Sequence, residues 1–222
     1  MTENINYEST FRRYLSALLE GDSRVGQDLI SDLLAKNVAL TTICRDYIQR
    51  SMYEVGALWE RNEISVSIEH LAASMTQLIL SDLFFKLKDP PPNAKQLIIA
   101  CVPGEVHEIG ALIVANVSEM AGWGTTLLGA NMPTIDLVSF IGNRKPDMLA
   151  LSCTIPANRR SLEGMLEKTV STFPQLDILM GGQALSGSDE ANGYRETLLM
   201  KFPRVRYVQT LEELESLLYQ KS

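Results

Sequence analysis

The sequence predicts two parts, an all-helical N-terminal segment and an α/β segment built on a parallel sheet. Three observations carry this. Apolar residues recur at three- and four-residue spacings as far as Lys86. From Gln96 onwards short apolar runs alternate with helix-like stretches. Between the two lies Asp89-Pro90-Pro91-Pro92-Asn93, where consecutive prolines cannot continue a helix and favour an extended connection. We therefore expect a helical-bundle cap over 1–89, a proline-rich linker over 90–93 and an α/β domain over 94–222.

The first segment reads as four helical stretches. Tyr7 to Glu20 carries Phe11, Tyr14, Leu15, Leu18 and Leu19 on one face. Asp22 or Ser23 can cap the next helix, whose apolar stripe is Val25, Leu29, Leu33 and Leu34. Leu40 to Glu60 carries Ile43, Tyr47, Met52, Val55 and Leu58; Asn62 breaks the pattern, and Ser65 to Lys86 resumes it. The last helix contains Ala72, Ala73, Ser74 and Met75. Small side chains there either permit close helix packing or leave room for a flat ligand.

The second segment predicts strands at Gln96–Val102, Gly124–Gly129, Asp147–Ser152, Leu176–Met180 and Val205–Val208. Helices are expected at His107–Ala121, Thr134–Ile141, Asn158–Thr172 and Glu190–Lys201. Thr210 caps a final helix, with Glu213 at the capping-box spacing. Such βα alternation calls for a flavodoxin-like, doubly wound, five-stranded parallel sheet.

Composition narrows the function classes. The formal net charge is −7 with 45% hydrophobic residues, and no Lys/Arg cluster forms a basic face, which disfavours direct nucleic-acid binding. Met1 to Tyr7 is polar and acidic, unlike a signal peptide, and no apolar run is long enough to span a membrane. Three cysteines, Cys44, Cys101 and Cys153, form no CxxC pair. That pattern fits a reducing, cytoplasmic setting and argues against a disulfide framework or structural zinc. GxGxxG and GKS/T patterns are absent, and a hydrolase triad is unconvincing with His70 and His107 as the two imidazoles.

In an open α/β sheet, ligands bind outside the carboxyl ends of the strands. The tips here are Pro103-Gly104-Glu105-Val106-His107, Gly129-Ala130-Asn131-Met132-Pro133, Ser152-Cys153-Thr154 and Gly181-Gly182-Gln183-Ala184. His107 is either a packed or capping histidine, or a ligand to a metal or cofactor, or an acid–base group. One histidine cannot build a zinc site, but it can supply one axial ligand to a metal held by a macrocycle, with Glu105 as acceptor for the other ring nitrogen. Glu105 read alone is a carboxylate serving a helix dipole, and Ser152 and Thr154 read alone are caps. On the helical side, Trp59 on an amphipathic helix reads as core, and His70 as a packing or capping group.

Glu105-Val106-His107-Glu108-Ile109-Gly110, followed by Ser152 and Gly181-Gly182, resembles the cobalamin-binding signature of corrinoid domains. That signature is an acidic residue, any residue, His, two of any kind, Gly, then a serine and a double glycine; Glu105 stands where Asp is commoner. The resemblance implies that His107 coordinates cobalt from below and that Glu105 hydrogen-bonds its ring. It also implies that the nucleotide tail of the cofactor runs into a cleft beside Ser152, Gly181 and Gly182, with Glu108, Gly110 and Thr154 among the cofactor-binding residues. Corrinoid domains of methyl carriers, methionine synthases and light-sensing regulators also have a four-helix cap. In the regulators a tryptophan is followed ten residues later by Glu-His, as Trp59 is by Glu69-His70 here, and these residues lie over the upper face of the corrin. The chain departs from the photoreceptors at Glu60, where they place a histidine that captures cobalt after photolysis, so the bis-histidine state is not expected in that form.

Two functions follow from the resemblance. One is an adenosylcobalamin-binding sensor, responsive to light or cofactor state, signalling through a protein partner such as a regulator; no helix-turn-helix fits before Tyr7, so a stand-alone module is expected. The other is a corrinoid protein, using methylcobalamin, that carries a methyl group between methyltransferases. The tryptophan motif favours the first, and in neither is the chain a complete enzyme. Binding of another tetrapyrrole or a second chromophore is a third reading, and the Ala/Ser-rich helix allows a homo-oligomer.

Overall fold

The computed structural model describes residues 6–87, 91 and 94–221. Apart from Pro91, the linker expected at 90–93 lies outside the described residues. The chain divides into two compact units, Met1–Lys86 and Leu87–Ser222.

The first unit contains α1 (Tyr7–Glu20), α2 (Ser23–Ala35), α3 (Leu40–Ile43), a π-helical segment (Cys44–Gln49), α4 (Arg50–Glu60) and α5 (Val66–Leu87). The starts of α1 and α2 are capped by short polar side chains: Asn6 Oδ1 accepts from Ser9 N at 3.1 Å, and Asp22 Oδ1 from Val25 N at 3.0 Å. Asn62, at φ 57°, closes α4, with Glu63 N bonded to Leu58 O at 2.9 Å. Phe11, Tyr14 and Leu18 of α1, Leu29, Ile30 and Leu33 of α2, Tyr47, Ile48 and Val55, and Ala72, Met75 and Leu80 of α5 form the core. Ala72 and Met75 are packed, so that part of the Ala/Ser-rich stretch serves helix contact. The π-helical turn interrupts what the spacing predicts as one α-helix from Leu40 to Glu60.

The second unit is a five-stranded sheet of β1 (Gln96–Cys101), β2 (Gly124–Gly129), β3 (Met148–Ser152), β4 (Asp177–Gly181) and β5 (Val205–Tyr207), in the order β2-β1-β3-β4-β5. All four pairings are parallel. The helices are α6 (Ile109–Met120), α7 (Thr134–Arg144), α8 (Arg159–Thr172), α9 (Asp189–Lys201) and α10 (Leu211–Lys221). The central strands are buried on both faces, as a parallel sheet between helix layers requires. Ile98, Ala100, Leu149, Leu151, Ile178 and Met180 pack with Leu137 and Ile141 of α7, Leu162 and Met165 of α8, and Leu198 of α9. The edge strand β2 turns one buried Thr125 towards α6, where Glu119 Oε1 accepts its N–H at 2.9 Å. Strand order reverses at β1, so the tips of β1 and β3 lie side by side where their connections diverge.

Two boundaries differ from the sequence expectation by more than one residue. α6 begins at Ile109 rather than His107, because the Glu105 carboxylate takes the N–H of His107 at 3.0 Å and holds that stretch in a turn. α7 continues to Arg144, past Ile141, and ends at Lys145 with φ 50°. The capping box before α10 forms as the spacing predicts: Glu213 N donates to Thr210 Oγ1 at 3.1 Å and Thr210 N to Glu213 Oε2 at 3.3 Å. Thr210→Ala is expected to cost about 1 kcal/mol, read as a lower urea midpoint with an unchanged slope.

Candidate functional site

Pro103-Gly104 turns the chain immediately after β1. Gly104 has φ 85°, and Glu105 N donates to Val102 O at 3.0 Å, the geometry of a type II turn with Pro and Gly in their preferred places. Asn131, from the loop after β2, holds the turn from outside: its Oδ1 accepts from Gly104 N at 2.8 Å, and its N donates to Glu105 O at 2.7 Å. The turn points the Glu105 side chain inward, where it is fully buried.

Both oxygens of that carboxylate are saturated. Oε1 accepts from His107 N at 3.0 Å and lies 2.6 Å from His107 Nδ1. Oε2 accepts from Thr154 N at 2.8 Å, Ile155 N at 2.8 Å and Asn158 Nδ2 at 3.1 Å. Burial alone would raise its pKa; the N–H groups of Ile155 and His107, the His107 ring and the Thr154 N–H outweigh it and lower the value from 4.5 to about 2. An ionised carboxylate only accepts, so the proton of the imidazole sits on Nδ1. That leaves Nε2 with its lone pair, on a side chain 52% exposed.

The remaining candidates of this unit surround the pair. Glu108 is the N-cap residue of α6, and its Oε2 accepts from Ala130 N at 3.1 Å. Gly110 lies beside Ser152, whose Oγ is 3.9 Å from where a Cβ would stand. Ser152 pairs in register with Gly181. At Gly182, with φ 112°, a Cβ would collide with the Cys153 carbonyl; the close approach to this glycine is made by the chain itself. Burial, then the charge on Glu105, pushes the thiols of Cys101 and Cys153 up to about 12, so both stay protonated.

Trp59, Glu69 and His70 belong to the helical unit. Trp59 is 48% exposed in the last turn of α4, and Glu69 and His70 lie near the start of α5, with His70 Nε2 3.4 Å from Glu69 Oε2. The His70 side chain is exposed. Neither Trp59 nor His70 is a core side chain.

Sequence reasoning missed Asn158, Asn131 and the Ile155 N–H. Asn158, expected as the first residue of a helix, stands just before α8 and makes no cap bond; its amide is committed to Glu105.

The donor set fits a metal that brings its own equatorial ligands. Among the described residues no group of three or more His, Cys, Asp or Glu is placed to hold a metal ion, whereas His107 offers one nitrogen backed by a buried carboxylate. Among the described residues no helix is long and apolar enough to cross a membrane.

Comparison with known proteins agrees with this chemistry. A family described as the B12 binding domain matches residues 95–195, and a second of the same description matches residues 10–83. The chain is 27% identical over 172 residues to the HTH-type transcriptional repressor CarH of Myxococcus xanthus, covering 76% of this chain and 57% of that protein. It thus spans little more than half the length of that relative. It is 22% identical over 185 residues to the trimethylamine corrinoid protein of Methanosarcina barkeri, covering 80% of this chain and 84% of that protein. Its fold is similar to that of the Methanosarcina barkeri monomethylamine corrinoid protein, with a TM-score of 0.77 over 97% of this chain and 99% of that one, at 16% identity.

The depressed pKa of Glu105 sets a pH dependence. Its folded value lies below its unfolded value, so its contribution is complete above the unfolded value of 4.5 and is lost as pH falls towards about 2. The contribution at neutral pH is about 3 kcal/mol. Urea unfolding of the ligand-free protein across this window is expected to lose stability steeply, and Glu105→Gln to remove that share of the slope. An identical acid slope in both proteins would contradict the assignment.

Proposed function

The chain belongs to the B12 binding domain family, and from that premise we propose that it holds a corrinoid through His107 and carries a methyl group between methyltransferases. The observation that carries the cofactor assignment is the 2.6 Å contact between His107 Nδ1 and the buried Glu105. It leaves Nε2 as the one unshared ring lone pair.

Each residue has a defined task in this reading. Glu105 keeps the imidazole proton on Nδ1, fixes the ring plane and raises the donor strength of Nε2. Thr154, Ile155 and Asn158 hold Glu105 in place with hydrogen bonds that favour its ionised form. Ser152, Thr154, Gly181 and Gly182 are the contacts for the nucleotide tail, and Glu108 and Gly110 frame the entry of α6 beside it. Trp59, Glu69 and His70 are the candidate contacts of the helical unit. When bound, a corrinoid supplies a cobalt that accepts and releases a methyl group.

The carrier reading draws support from the likeness to trimethylamine and dimethylamine corrinoid proteins. Glu60, where the photoreceptors have histidine, also supports it. The sensor reading keeps one specific observation, an exposed Trp59 followed by Glu69-His70 at the regulator spacing. In that case adenosylcobalamin is the ligand and a regulatory protein the partner.

Two measurements test these assignments. His107→Ala is expected to weaken cobalamin at least about tenfold or to leave it base-on, and, in protein carrying nitrogen-15 histidine, to abolish the labelled-nitrogen coupling in the cobalt(II) paramagnetic spectrum; labelled coupling retained in the variant would refute the ligand. Illumination of the adenosylcobalamin-loaded protein is expected to leave its solution mass and Trp59 accessibility unchanged. A light-dependent change in either would replace the carrier with the sensor.

A further inference from the structure

Arg159, the first residue of α8, sits next to Asn158 in sequence but serves a different loop. Its side chain is only 13% exposed. Nε donates to Ala184 O at 2.8 Å, and Nη1 pairs with Glu190 Oε1. The guanidinium lies 5.5 Å from the centre of the Tyr194 ring, and Tyr194 Oη donates to Arg159 O at 2.6 Å. A largely buried charge held on three sides is costly to arrange, and a surface ion pair would not require it.

Ala184 lies in the short 3-10 turn Gln183–Leu185 that follows Gly181-Gly182. The turn is seated on β3 by Ala184 N donating to Cys153 O at 3.2 Å. Arg195 of α9 takes the next carbonyl, Leu185 O, at 3.1 Å. Two guanidiniums from two helices therefore grip consecutive carbonyls of one loop. A glycine pair gives that loop freedom, and the arginines remove it. A loop fixed in this way presents one set of backbone N–H groups to a ligand and loses no entropy on binding.

We propose that Arg159 is a positioning residue for the loop after β4, setting the grip on the nucleotide tail of the cofactor without touching it. This rests on the corrinoid reading above. The start of α8 then governs both arms of the site. Asn158 holds the carboxylate behind His107, and Arg159 holds the loop on the far side of β3.

The test compares cobalamin with cobinamide, which has the corrin but lacks the nucleotide tail, on the full chain. Arg159→Met keeps the apolar stem and removes charge and donors. It is expected to weaken cobalamin about tenfold and cobinamide by less than about twofold, with nitrogen coupling from His107 retained. Arg159→Lys restores one donor without the planar fork and is expected to fall between wild type and Met; it carries the test if the Met variant does not fold. Equal weakening of both compounds, accompanied by a lowered Tm, would mark Arg159 as merely structural and overturn the proposal. So would an unchanged cobalamin affinity of Arg159→Met where the wild type binds both compounds. A wild type that binds neither would overturn the corrinoid reading itself.

Discussion

A buried negative charge organises the α/β unit. Removing a carboxylate from water costs several kcal/mol unless donors replace the lost hydration. Glu105 meets that demand with donors from its own turn, from the first residues after β3 and from the start of α8. Three chain segments are thereby fixed to one another. Only neighbouring strands whose connections diverge can bring such segments together, and the order β2-β1-β3-β4-β5 provides that at the β1/β3 boundary. The exposed imidazole is the outward end of this arrangement, and its orientation follows from the charge beneath it.

The fold was legible because it depends on local repetition. Strands buried on both faces appear as apolar runs, and Asp22, Thr210 and Glu213 announce helix ends through short-range chemistry. His107 and Glu105 were legible for the same reason, lying two residues apart. Asn158 was not, since its bond to Glu105 spans 53 residues. The π-helical turn at Cys44–Gln49 was equally hidden. It adds a single residue to one turn, a change of phase that the spacing of Ile43, Tyr47 and Val55 absorbs without a visible break.

The two units bear differently on function. In the proposed reading the anchoring chemistry on the sheet is common to whatever the cofactor does, since a nitrogen ligand backed by a carboxylate serves a labile bond and a transferable methyl group alike. What separates sensing from carrying has to be written on the helical unit. There Glu60 and the exposed Trp59 pull in opposite directions. Relatives named as repressors and relatives named as corrinoid proteins both match this chain, at 27% and 22% identity.

Gly182 separates two kinds of information within one signature. A side chain there is forbidden by the Cys153 carbonyl of the same chain and by a φ of 112°, whatever occupies the loop. A chain of this fold that lost His107 and all cobalt chemistry would still be compelled to keep that glycine. Gly182 is therefore a record of shape and, in the proposed reading, the Glu-x-His a record of metal. A sequence carrying the first without the second describes a domain that has retained its architecture and relinquished its cofactor.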